Sequence, residues 1–531
     1  MNSIKKRKGM RRLLAAVAMV MCIAFALALT GCGGSQEQQK ESDEPKTLHA
    51  GSTTYFYAES MDPASDWDSW YLSYYGIVEN LFKVGDDLTP QPWLAKSATQ
   101  TDKHTWVVEL NEGITFSNGE PCDAAAVKKA WERTYAENSR GAETLAYKSL
   151  SAEGNKLTIV TKEEVPSLKN ALCDPLLCVY YVGKGVDYAK ETPATGPYMK
   201  KSFKAEDEIV LVPNKSYWNG TPKLDEVTLT CFADDNAITM AMQKGEIQAV
   251  AMPSASTAAT LNDESKYTRM STTSSRADFI RMNMKHDVIK NDAVRTAVAY
   301  CIDREGYAST ICQGSAVASW SVYSSTLPFG GTDGLNVKVS TCDVEAAKKT
   351  LEEAGITDSD GDGVRELNGK PVELSLYVCT NYERFTQLAD DLQSKLGEAG
   401  IKLKIVPTDY FLEDSKTFAK DDPDMTLDSY AMAPTGNQSY FVNISFASDG
   451  SNNFGKYFNA KVDELAKKLE ASTDDNERNT LVREISQMVL DDVPYVFFAN
   501  SEAVVICDKS VTGLAAAPSE YYFVTVDTDV E

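Results

Sequence analysis

Apolar positions along this chain follow two periods in turn, one strand-like and one helical. Thr47 to Tyr57 is rich in β-formers, and Pro63 ends that run because it cannot donate to a ladder. Apolar residues at 71, 74, 75, 78, 81 and 82 predict a helix from Asp68 to Phe82. Asp123 is placed to cap a helix whose apolar face is Val127, Ala130, Trp131 and Thr134. Strands are predicted at Trp106–Leu110, Lys156–Thr161, Glu208–Val212 and Leu224–Phe232, and a helix follows at Asn236–Lys244. The second half repeats the mixture. Helices are predicted at Asp292–Asp303, Val344–Ala354, Tyr382–Ala399 and Glu477–Leu490, with Gly355 and Gly400 as stops. Asn459 caps another, striped by Val462, Leu465, Ala466 and Leu469. Strands are predicted at Pro371–Cys379, Ile401–Val406 and Pro494–Ala499. This alternation indicates an α/β architecture with more than one domain.

The first fifty residues obey neither period. Lys5 to Arg12 is a basic block, and Leu13 to Leu29 is uncharged and apolar. Leu29-Thr30-Gly31-Cys32 follows, which resembles a lipobox rather than the small-residue end of an ordinary secretory signal. The rival is a transmembrane anchor, for which this run sits at the short limit. On the lipobox reading residues 1–31 are a signal peptide and Cys32 carries the lipid. Residues 32–46 then form a flexible tether, since 33–46 contain no aromatic or branched apolar side chain. The product is extracytoplasmic and anchored to the cell membrane.

The 531 residues carry a net charge of −24, and with the basic leader set aside the remainder is more acidic still. A nucleic-acid partner is excluded on that balance, because phosphate contacts need clustered Lys and Arg. Three histidines, at 49, 104 and 286, are too scattered for a multi-His zinc centre. HExxH, GxSxG, CxxC and a true P-loop are all absent, so the chain reads as a non-enzyme with no required cofactor. Asp358, Asp360 and Asp362, followed by Gly363, have calcium-loop spacing, with Glu366 as a further carboxylate. The twelfth position is Gly369 rather than Glu, so a structural calcium and a plain Asp/Gly turn both stand. Cys173 and Cys178 are a candidate local disulfide, and most other cysteines read as buried apolar residues.

Six blocks, in order, carry a resemblance. They are Leu94-Ala-Lys-Ser with Gly113-Ile-Thr-Phe116-Ser-Asn-Gly119-Glu-Pro121, then Ala194-Thr-Gly196-Pro197-Tyr198 with Tyr217-Trp218-Asn-Gly220, and Gln243-Lys-Gly245-Glu246-Ile247. Met282-Asn283-Met284 with Tyr300-Cys-Ile302-Asp303-Arg304-Glu305, Ala399-Gly400-Ile401 and Tyr457-Phe-Asn459 complete the set. Together they resemble the oligopeptide- and dipeptide-binding family of ABC-importer solute-binding proteins. The resemblance implies a two-lobed type II periplasmic-binding-protein-like clamshell with an extra small domain in lobe one. The expected segments are 47–87, 88–191 (the extra domain), 192–282 and 496–531 for lobe one, and 283–495 for lobe two. It implies a monomer that captures a small solute, a peptide first, and delivers it to a permease and ATPase. The alternatives are a metal chelate as solute, or a secreted hydrolase on this scaffold.

In peptide-binding members an Asp on a lobe-two loop pairs with the ligand's ammonium. Here the loop runs from Asp428 to Phe441, and Pro434 or a neighbour stands at that place. Asp428 and Glu79 are the candidate substitutes. Position in the family plan nominates Tyr55 and Tyr57 at the first strand's end, and Arg276, Phe279 and Arg281 at the first crossing. Tyr430, Met432 and Asn437 lie on the loop, and Asn453 just beyond it. Core packing is the alternative for each aromatic, and a surface ion pair for Arg276.

Overall fold

The computed structural model describes residues 45–54, 56–408 and 420–531, and Cys32, Tyr55 and the predicted signal peptide lie outside them. The chain enters as β1 (Thr47–Ser52), with α1 (Asp68–Tyr74) after it. The helix predicted to reach Phe82 ends eight residues early. Gly76 takes φ +73°, and the carbonyls of Gly76 and Ile77 accept from Tyr198 and Gly196, so a neighbouring segment takes the bonds a longer helix would use. A four-stranded antiparallel sheet follows, built from β2 (Ala95–Asp102), β3 (Thr105–Leu110), β4 (Tyr147–Glu153) and β5 (Lys156–Thr161) in the order β2-β3-β5-β4. On it packs α2 (Ala124–Glu137). Asp123 caps α2 through Ala126 N at 2.9 Å, and Trp131 on its buried face donates to Leu177 O at 2.9 Å.

The main sheet takes β1, β6 (Tyr198–Lys204), β7 (Glu208–Pro213), β8 (Glu226–Cys231) and β9 (Ala249–Ala251), with α3 (Asp235–Gln243) between the last two. Then β10 runs from Tyr267 to Met282. The second half contributes α4 (Asp292–Tyr300), β11 (Ala316–Ala318), α5 (Val344–Glu353), β12 (Glu373–Cys379), α6 (Glu383–Glu398), β13 (Lys402–Thr408) and β14 (Met425–Ala431). Helices α7 (Ala460–Ala471) and α8 (Asp475–Asp492) lead to β15 (Tyr495–Asp508).

Eleven strands form one sheet, ordered β13-β12-β14-β10-β15-β9-β1-β8-β7-β6, with β11 also on β15. Two long strands therefore carry it: β10 and β15 pair with each other, β14 is added to the far end of β10, and β9 to the far end of β15. The β10–β15 ladder breaks register between Thr273 and Ala277, where β10 carries extra residues, and again between Asp278 and Phe279. Such bulges re-aim side chains. One hydrophobic cluster runs under the first half and the four-stranded sheet and takes in the buried faces of α7 and α8, and another lies around Ile280, Val298, Leu376 and Leu392. No described helix is long and apolar enough to cross a membrane.

Candidate functional site

The bulge in β10 sits over a cleft. Two adjoining cavities, of about 900 and 260 Å³, share Thr54, Arg276, Tyr382 and Ser429 as walls. In the larger, the first half supplies Tyr57, Asp234, Asp235 and Ser254. The second half supplies Cys379, Asn381, Arg384 and Gln387, while Ser501 and Glu502 come from β15. Several of these are helix-end residues, which is why they face open space. Asp234 caps α3 and Ser254 caps a short helix at Ala255–Thr260, while Arg384 occupies the first turn of α6. The smaller cavity is aromatic, with Trp67, Trp70, Tyr71, Tyr430, Tyr440 and Tyr521 beside Arg140. The Arg140 guanidinium stacks over Trp67 at 3.6 Å, and Trp70 Nε1 donates to Glu520 O at 2.8 Å.

Cations in the cleft are held differently. Arg276, thrown out by the bulge, meets the buried Glu520 through Nε at 3.0 Å and Nη2 at 2.8 Å, and reaches Ser429 O at 3.4 Å. Arg384 instead rests its Nε against Tyr307 OH (3.1 Å) and Asp278 Oδ2 (3.4 Å). Its Nη1 and Nη2 have no hydrogen-bond partner among the described residues, and the guanidinium lies by the rings of Tyr382 and Phe385. Asp278 is wholly buried, accepts from Tyr307 OH at 2.8 Å, and keeps Oδ1 unbonded. Burial opposes the charge on Arg384, but Asp278 and Tyr307 reverse this and hold the guanidinium above its usual range.

Main-chain groups also face the cleft. Met432 N donates to Ser275 O and Asn283 N to Asp424 O, which fixes the residues of β14 that bond to β10. Ser429 and Ala431 belong to the other set, and on that side the described strands pair β14 only at Met425 and Thr426. The Ser429 hydroxyl is buried there without a partner.

Of the residues nominated from sequence, Tyr57 and Arg276 line the larger cavity, and Arg276, Tyr430 and Pro434 the smaller. The others stand elsewhere. Glu79 accepts from Trp93 Nε1 and Tyr217 OH at 2.8 Å and Trp218 Nε1 at 3.0 Å, and burial pushes its carboxyl up in spite of these donors. Arg281 Nε lies 3.2 Å from Asp428 Oδ2, which also accepts from Thr426. Phe279 is buried among Phe441, Tyr495 and Phe497, and Met432 is buried as well. Asn437 accepts from Ser439 N and Arg478, while Asn453 closes a turn with Ala447 and Tyr457. Asp358, Asp360, Asp362 and Glu366 bring carboxylate oxygens within 4.8 Å of one another. Each also accepts an N–H of the same loop, as an Asp/Gly turn requires. Cys173 and Cys178 are buried free thiols.

Arg140, Asp278, Tyr382 and Arg384 were not singled out from sequence. Arg384 had one legible signal: a cation in the first turn of a helix opposes the macrodipole, and Tyr382 before it makes no side-chain cap.

The model for bacterial extracellular solute-binding proteins, family 5 (middle), matches residues 89–453. The nickel-binding protein NikA of Staphylococcus aureus is 26% identical over 95% of this chain and 97% of its own. The oligopeptide-binding protein AppA of Bacillus subtilis is 24% identical over 92% of this chain and 93% of its own. Among solved structures, Staphylococcus aureus NikA in complex with Ni(L-His)2 superposes with a TM-score of 0.77 at 26% identity, covering 92% of this chain and 100% of that one. Bacillus subtilis AppA with a nonapeptide gives 0.74 at 21%, with the same coverage. The fold is that of the type II periplasmic-binding-protein-like proteins.

Proposed function

As a member of family 5 of the bacterial extracellular solute-binding proteins, to which this chain belongs, we propose that it is the receptor of an ABC importer for short peptides with a free C-terminal carboxylate. The observation that carries this reading is Arg384, which lines the larger cavity, is braced through Nε on buried Asp278 and has no hydrogen bond to either Nη among the described residues. A guanidinium fork fits a carboxylate in two parallel bonds. Asp234, Asp235 and Glu502 line the same cavity, so a zwitterion meets both signs there. The β14 edge at Ser429 and Ala431 supports main-chain recognition of an extended ligand. A volume of about 900 Å³ suits a short peptide. Loaded receptor docks on the permease, whose ATPase drives uptake, and a lipid on Cys32 with the tether behind it keeps the receptor at the membrane.

A second reading, a nickel chelate, draws on the similarity to NikA. No histidine lines either cavity, so the metal would have to arrive with its own ligands. Thermal shift with di- to octapeptides, nickel alone and nickel with histidine separates the two. A ligand at 100 times its Kd stabilises by about 2.7 kcal/mol. Peptide shifts without a nickel–histidine shift support the proposal, and the reverse pattern overturns it.

A further inference from the structure

Helices α4 and α5 lie side by side, and a cysteine stands at the adjoining end of each. Cys301 caps the C-terminus of α4 and is wholly buried. Cys342 precedes Asp343, the N-cap of α5, and is the one exposed thiol among the described cysteines. Asp343 is pinned twice: its N–H donates to Tyr300 O at 2.9 Å, and its carboxylate accepts from Ala346 N at 2.9 Å. The first of these bonds ties the residue before Cys301 to the residue after Cys342, while Cys301 itself keeps helical backbone angles (φ −85°, ψ 0°). The bond also limits how far apart the two α-carbons can lie. Standard bond lengths limit the separation here to roughly 8 Å, and disulfides span about 4.4–6.8 Å. Burial pushes Cys301 up to about 12, and the Cys342 thiol is the next cause.

We propose that Cys301 and Cys342 are joined by a disulfide outside the cell, which braces the segment 302–341. That segment carries Ile311, Cys312 and Ser315 of the larger cavity's wall. Members of this family work outside the cytoplasm, where disulfides form and persist. The exposed Cys342 is the entry thiol. Its thiolate attacks a small-molecule disulfide RS–SR and expels one RS⁻, leaving Cys342–S–SR. The Cys301 thiolate then attacks Cys342 Sγ and expels the second RS⁻. Two protein thiols lose two protons and two electrons, and the oxidant becomes two thiols.

The test uses the mature chain, reduced and then held in a buffer of oxidised and reduced glutathione, blocked with a maleimide and digested without reductant. Mass spectrometry is expected to find the Cys301 and Cys342 peptides linked, two hydrogens lighter than their sum, and separated by reductant. In Cys342→Ser the link is absent and Cys301 is recovered as a thiol. The oxidised wild-type chain is expected to melt above the reduced one, and Cys342→Ser to melt alike in both buffers. Recovery of Cys342 as a free thiol, as a glutathione adduct or linked to another cysteine overturns the proposal. Equal melting of linked and reduced wild type overturns the bracing role.

Discussion

Replacing Arg384 by glutamine removes a charge that does two separable things. On its open side the side chain lines the larger cavity, where the proposed carboxylate would sit. Hydrogen bonds to charged groups contribute about 1.5–3 kcal/mol, so a carboxylate-terminated peptide should bind about 10- to 150-fold more weakly. Toward the core, the guanidinium balances Asp278, which is 0% exposed. Removing one partner of a buried pair costs about 3–5 kcal/mol, so the melting temperature should fall as well. The double variant Asp278→Asn with Arg384→Gln should recover much of the stability and none of the affinity. Calorimetric titration with a peptide and its C-terminal amide isolates the contact. Wild type is expected to prefer the free acid, and Arg384→Gln to bind both alike. An equal loss for acid and amide would refute a direct contact, and a wild type indifferent to amidation would refute the carboxylate subsite itself.

His286 donates between Asp424 (2.6 Å) and Asp422 (3.1 Å), and although burial opposes its charge the two carboxylates raise its pKa. Its stabilising contribution is therefore complete below about pH 6.5 and is lost as pH rises through the folded value. Melting scans should show stability falling over that rise in wild type and a flatter profile in His286→Gln. Millimolar calcium should raise the melting temperature if the loop of Asp358, Asp360, Asp362 and Glu366 binds it, with Asp360→Asn removing the increase. An unchanged melt identifies that loop as a turn closed by its own amides. Gly436 has φ +72°, and a Cβ there would stand 2.0 Å from Leu88 O, so Gly436→Ala should push the 434–437 loop from its seat and weaken ligand binding at least tenfold in the same titration.

Elements whose signals are local were legible in the sequence. Asp123 and Asn459 accept from amides two or three residues on, and α2 and α7 begin beside them. Gly355 and Gly400 take φ of +74° and +83° after α5 and α6. The long strand β10 was not, because its Ser/Thr-rich run from Ser271 to Ser275 has no alternation and is held by β15 and β14, far away in sequence. The apolar strand predicted at 494–499 continues to Asp508 for the same reason. The nominated site divides likewise. Arg276 and Tyr430 reach the cleft, whereas Glu79 and Asp428 found partners on distant elements (Trp218 and Arg281) that no spacing rule connects.

The last long strand has a consequence for how the chain matures. β15 lies between β10 and β9, so the two ends of the main sheet share no continuous ladder until residues 495–508 are available. The rest of the main sheet has left the ribosome long before then, including β1, which pairs with β8 and β9. Pairings this distant in sequence form slowly, and they leave unpaired edges in the meantime. A chain threaded outward from its N-terminus therefore cannot complete its sheet while its C-terminal part is still inside. This delay favours passage as an unfolded polypeptide, with final closure of the fold occurring on the far side.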